Sequence, residues 1–299
     1  MTDNQTIPIS AEAPVDRHEM LRRITAAAVA DPRIVALRDF GSSAEGRDDE
    51  WSDVDVEVFV RDEDFAAFER AWVEWAGGFG RLLLSFVGDM DNHWTVYDGV
   101  PVPLRVDFSL HRASEIPMTA KWPNAPVSVE RMVLVDKIGE LAAVVAPMVK
   151  QNLGPPDVPE HFERRCGTFW YYVVRTWCKL QRGPTWGVRY DLTYILHGIL
   201  MDLLRLEAGA LHRWRASHAA DNLECDISPE RLERLDRCIP GRESAQIGRA
   251  LHEIALLGRE VSTAAAARYS RAWPSELGDR MVALTKLTLT PAPDERTAR

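Results

Sequence analysis

Apolar positions along these 299 residues recur with two different periods, and the change of period divides the chain. In the first half, short runs with period two alternate with helical stretches. Met20, Leu21, Ile24, Ala27 and Ala28 predict a helix that starts at an Asp16 N-cap and stops near Asp31-Pro32. Strands are predicted at Ile34–Leu37 and from Ser52 to Val60, where Val54, Val56, Val58 and Val60 alternate with Asp53, Asp55, Glu57 and Phe59. A helix over 63–76, closed by Gly77-Gly78, leads to three more strands at 82–87, 93–97 and 102–110. The proline-bearing stretch 111–127 reads as an irregular rim, and Met132–Lys137 runs into an Ala/Val-rich helix ending near Pro147. After Pro155-Pro156 only the helical period remains, over 158–182, 189–208, 228–238, 242–267 and 275–288. The expected organisation is therefore α+β, with a strand-containing domain at 16–150, an all-helical bundle at 156–290, and loose tails at 1–15 and 291–299. Short connections between the later helices favour antiparallel packing.

The second strand carries the chemistry. Its alternation gives it an apolar back and a front bearing Asp53, Asp55 and Glu57. Carboxylates at i, i+2 and i+4 repel one another, and a hard divalent cation with oxygen ligands is the usual remedy. One strand earlier, Gly41-Ser42-Ser43 opens a polar turn whose glycine permits close backbone approach and whose hydroxyls suit phosphate oxygens. In the 102–110 strand, Arg105, Asp107 and Ser109 share the polar face. Asp136–Gly139 reads equally as a nucleotide contact or as a turn entering a helix. In the helical half, Arg175, Lys179 and Arg182 form a basic stripe with Arg189 opening the next helix, either a phosphate clamp or a solvated face. Phe169, Trp170, Tyr171, Tyr172, Trp177, Trp186, Tyr190 and Tyr194 concentrate aromatics there. Most are expected in the core, with one or two free to stack on a ligand.

A Gly-Ser pair, a ten-residue spacer from Ser43 to Ser52, and then Asp53-Val54-Asp55-Val56 resemble the signature of the DNA polymerase β-type nucleotidyltransferases. The resemblance implies a small mixed β-sheet domain, Mg²⁺ on Asp53 and Asp55 (two ions in all), and a nucleoside triphosphate such as ATP gripped by Gly41, Ser42 and Ser43. It also implies that Asp107 completes the metal triad and serves as general base. The order of parts, and the segment Lys179–Gly183 ahead of a Leu-rich helix, are similar in layout to antibiotic nucleotidyltransferases of the lincosamide and aminoglycoside kinds. That layout implies nucleotide contacts from Lys179 and Arg182, a small hydroxylated acceptor, and room for a homodimer.

Charge narrows the partners. Residues 1–150 hold 15 Lys and Arg against 26 Asp and Glu, whereas residues 151–299 hold 21 against 19. An acidic first half argues against a long nucleic acid and suits a small, cationic acceptor. No apolar run approaches the ~20 residues of a membrane span, and the polar start, Met1–Gln5, lacks a secretory pattern. With Cys166, Cys178, Cys225 and Cys238 unpaired in pattern, a cytoplasmic protein with reduced thiols is expected. Other readings stand beside this one: an adenylylating regulator acting on a protein or tRNA hydroxyl, a HEPN-like ribonuclease using Arg213 and His218, and a catalytically dead binding module.

Overall fold

The computed structural model describes residues 14–88, 92–122, 125–151, 157–183, 185–211 and 219–287. The chain divides into two compact units, Met1–Asn152 and Leu153–Arg299.

In the first unit, helix α1 (Arg17–Ala30) begins where the Asp16 carboxylate accepts the Glu19 amide at 2.8 Å and buries Met20, Ile24 and Ala28. Six strands follow: β1 (Ile34–Asp39), β2 (Val54–Val60), β3 (Leu82–Val87), β4 (His93–Tyr97), β5 (Leu104–Arg112) and β6 (Val133–Asp136). They form a mixed sheet in the order β3-β4-β5-β2-β1-β6, in which only β2 and β5 run parallel. Two short helices, α2 (Phe65–Arg70) and α3 (Trp72–Gly77), replace the single helix expected over 63–76; the chain breaks at Ala71. The expected irregular rim is more ordered than its prolines suggest. A 3₁₀ stretch occupies Ala113–Lys121, ahead of α4 (Val129–Met132). β6 and α5 (Glu140–Val145) divide the stretch read as leading into one Ala/Val-rich helix, because four residues are too few to display a period. Val15, assigned to the tail, bridges to Gly99.

β2 is covered on both sides, as central strands are. Val54, Val56, Val58 and Val60 pack with Met20, Ile24, Phe68 and Phe108 on one face. Phe59 packs with Ile116, Met132, Leu141 and Val145 on the other. The polar front of β2 is therefore open only at its beginning, where Asp53 and Asp55 stand.

The second unit is helical throughout its described residues: α6 (Val158–Arg182), α7 (Thr185–Tyr190), a π-helical turn over Asp191–Leu196 that runs into α8 (His197–Ala208), α9 (Leu223–Asp226), α10 (Pro229–Asp236), α11 (Ser244–Tyr269) and α12 (Ser275–Leu287). α11 packs on α6, α8 and α12 around one core that includes Phe169, Trp170, Leu200, Leu203 and Ile254. Gly183 ends α6 with φ +94°, a backbone conformation that side chains resist. Among the described residues no helix is long and apolar enough to cross a membrane.

Candidate active site

The parallel pairing of β2 with β5 sets Asp55 directly beside Asp107. Neighbouring strands lie about 4.8 Å apart, so the two carboxyl groups rise side by side from one face. Asp53, two residues earlier, shares that face. Burial pushes the Asp55 carboxyl up to about 7, and the charges of Asp53, Asp107 and Asp39 push the same way. Asp107 is raised as well, by burial and then by Asp53, with Arg105 opposing. A site that raises its own acids in this manner is short of positive charge.

The turn expected to face these acids does so. The Phe40 amide donates to the Asp55 carbonyl at 3.0 Å, and Gly41 follows so closely that a methyl group there would collide with the Asp55 carboxyl. That approach requires glycine. The Ser42 hydroxyl is buried and has no hydrogen-bond partner among the described residues. Ser43 lies beneath the turn, buried, its hydroxyl directed to Asp39.

Three acidic or basic groups at this site escaped sequence reasoning. Asp39, fully buried at the end of β1, accepts the Gly41 amide at 3.0 Å; burial raises its carboxyl, while that amide and Arg17 counter it. Arg17 ties the elements together. Its Nε donates to the Asp53 carbonyl at 3.0 Å, its Nη1 to Asp48 at 2.9 Å, and its Nη2 lies 3.8 Å from Asp39. A buried cation in the first turn of a helix opposes the macrodipole, and that mismatch was its signal. Arg105, noted only as a polar-face residue, pairs with Asp53 at 2.6 Å.

Glu57 is corrected. The Arg38 guanidinium grips it with two bonds of 2.6 Å, both residues buried, so it needs no metal to neutralise it. Beyond it the same face continues into a cavity of about 220 Å³ between Phe59, His111, Thr119 and Trp122.

With Asp53 turned to Arg105, no three His, Cys, Asp or Glu side chains among the described residues converge as a ready-made metal cage. The donor set nevertheless fits a divalent cation. It is all-oxygen, it holds Asp55 and Asp107 side by side, and it lies beside an unpartnered hydroxyl at Ser42.

In the second unit, Lys179 pairs with the buried Asp191 at 2.7 Å. Arg182 is exposed at the end of α6, while the Arg175 and Arg189 guanidinium groups lie over Tyr172 and Trp186. Phe169 and Trp170 are core. Tyr171, Trp186, Tyr190 and Tyr194 are exposed, more than the one or two expected.

The family model of streptomycin adenylyltransferase matches residues 16–287. The chain belongs to the streptomycin adenylyltransferase family. Among solved structures, the chain is similar to an aminoglycoside 6-adenyltransferase from Bacillus subtilis, with 16% identity, a TM-score of 0.43, and coverage of 91% of this chain and 98% of that one. It is also similar to a nucleotidyltransferase-like protein from Exiguobacterium sibiricum, with 14% identity, a TM-score of 0.33, and coverage of 91% and 88%. A search of curated proteins finds no match.

Proposed function

We propose that this chain transfers AMP from ATP to a hydroxyl group of a small cationic acceptor of the aminoglycoside kind. The observation that carries the reading is the side-by-side pairing of Asp55 and Asp107 next to the Gly41–Ser42 turn, in a protein whose family is adenylyl-transferring. Mg²⁺ held by Asp53, Asp55 and Asp107 would neutralise the phosphates and make the α-phosphorus more electrophilic.

The residues divide the remaining work. The Gly41–Ser42 turn, its Gly41 amide held by Asp39, presents the Ser42 hydroxyl to the triphosphate. Asp107 accepts the proton from the acceptor hydroxyl, whose oxygen forms a bond to the α-phosphorus in line with the leaving group. The bond from that phosphorus to the bridging oxygen breaks, and pyrophosphate departs with the electron pair. Arg105, paired with Asp53, offsets part of the cluster's negative charge. Arg17 fixes the Asp53 backbone and the 40–53 loop against α1. The acidic first half suits a polycationic acceptor. Dependence on ATP and Mg²⁺ suits work in the cytoplasm.

Pyrophosphate release, screened with ATP, GTP, CTP and UTP against aminoglycosides, lincosamides and other hydroxylated natural products, tests the proposal. The expected result is release with ATP and an aminoglycoside in the presence of Mg²⁺. Release with no acceptor, combined with labelling of protein or tRNA in a lysate, would transfer the reading to a macromolecular hydroxyl. Arg213 and His218, which suggested a ribonuclease, lie outside the described residues.

A further inference from the structure

Two strands end the sheet of the first unit, and the chain treats them differently. β6 is four residues long, packs with α4 and α5, and stops at Asp136, whose carboxylate accepts the Gly139 and Ala142 amides at 2.8 Å each. Such an edge is short and covered. β3 is hydrogen-bonded to β4 alone, so its other row of backbone groups has no strand beside it among the described residues. From Leu82 to Val87 it contains no charge and no proline. Leu83, Leu84, Phe86 and Val87 are 46%, 49%, 42% and 51% exposed. Sheets guard their edges with lysine, proline, inward charges or bulges, and an unguarded apolar edge is a template for another strand. Of those guards β3 has only an irregularity between Leu82 and Leu84, which leaves Leu84–Val87 regular.

The strand that suits this edge is β3 itself. Two copies related by a two-fold axis perpendicular to the sheet pair antiparallel, and each residue then faces one on the same side of the sheet. With Ser85 on the axis, Leu84 lies opposite Phe86 of the second copy and Leu83 opposite its Val87. All four exposed apolar side chains gain an apolar neighbour, the two serine hydroxyls meet at the centre, and the uncharged strand opposes no like charges. We propose that β3 is a self-pairing edge through which two copies of this chain form a two-fold dimer, joining their six-stranded sheets into one. An interface built on so short a strand belongs with the small, weak ones, so its dissociation constant is on the order of 10 μM or above.

Sedimentation velocity on the whole chain, from about 1 μM to about 500 μM, bracketing that range, reads the dimer directly. A reversible monomer–dimer equilibrium is expected. Leu84→Lys should weaken it at least tenfold by setting an ammonium against Phe86 of the second copy; adding Phe86→Glu should restore it, since the register brings the two new charges together. Ser85→Cys should form an intermolecular disulfide under mild oxidation, because directly opposite Cβ atoms lie about 4.5–5.5 Å apart. Val29→Cys, exposed on α1, should not, and the wild type controls for the native cysteines. A monomer throughout the range would overturn the proposal. So would a dimer that ignores Leu84→Lys and leaves Ser85→Cys uncross-linked.

Discussion

The two units handle buried charge in opposite ways. In the helical unit, charge is matched where it is buried. Arg205 and Asp226, both almost fully covered, pair at 2.8 Å, and Arg205 also donates to the Ala219 and Asp221 carbonyls. Arg165 is joined to Asp202 and Lys179 to Asp191. In the sheet unit, Arg38 and Glu57 are matched in the same manner, yet one strand position earlier on that face the protein leaves Asp55 and Asp107 with too little positive charge. Carboxylates are costly to bury unpaired. The cation in the proposed reaction would meet the deficit at this cluster.

The contrast separates mutations that cost activity from those that cost stability. The largest effect is expected at Asp107→Asn, which should lower adenylyl transfer by about 10²–10⁴-fold, the usual contribution of a general base, while the melting temperature holds or rises. Full activity in that variant would remove Asp107 from the chemistry. Next comes Asp226→Ala, which strands the Arg205 guanidinium in the helical unit. Loss of one partner of a buried pair costs about 3–5 kcal/mol, and urea denaturation should register a loss of that size.

Asp55 should respond to pH in the opposite sense to a paired acid. Its carboxyl is raised from 3.8 to about 7 in the folded protein, so it favours folding when protonated. That contribution is complete below about 3.8 and disappears as the pH rises to about 7. In EDTA, Asp55→Asn should therefore melt above the wild type at pH 8, with the gap closing as the pH falls to 5; a gap independent of pH would contradict the burial of an ionisable group there. His161 of the helical unit, held down to about 4 by burial and by Arg165 and Arg164, has the reverse sign, its contribution being lost as the pH falls from about 6.5 to about 4.

The smallest effect sharpens the comparison at Lys179. Lys179→Met should lower stability by about 1–3 kcal/mol by leaving the Asp191 carboxylate short of its partner, with the KM for ATP unchanged. A raised KM without a fall in melting temperature would return Lys179 to the triphosphate.

Much of this was legible in the amino-acid order, because period-two alternation names both the strand and its polar face. The acidic pattern of β2 and the polar face at Asp107 were readable in that way, as were the limits of β3 and β4. Register was not. That Asp55 meets Asp107 depends on a parallel pairing, which follows from how the whole sheet is ordered. Glu57 was grouped with Asp53 and Asp55 as a carboxylate in want of a cation because alternation reports direction and says nothing of the Arg38 side chain across the strand pair. Asp39 ends an apolar strand next to Arg38, so its burial could not be told from a solvated strand end. Lys179 showed the same ambiguity, since helical spacing gives a stripe without saying which of its members turns inward to an acid.

Crystals grown with Mn²⁺ and a non-hydrolysable ATP analogue, measured at the manganese absorption edge, test the central claim most directly. The account predicts an anomalous peak within coordination reach of Asp53, Asp55 and Asp107, with phosphate oxygens against the Gly41 and Ser42 turn. Nucleotide and metal bound elsewhere, with the Asp53–Arg105 pair intact, would contradict it.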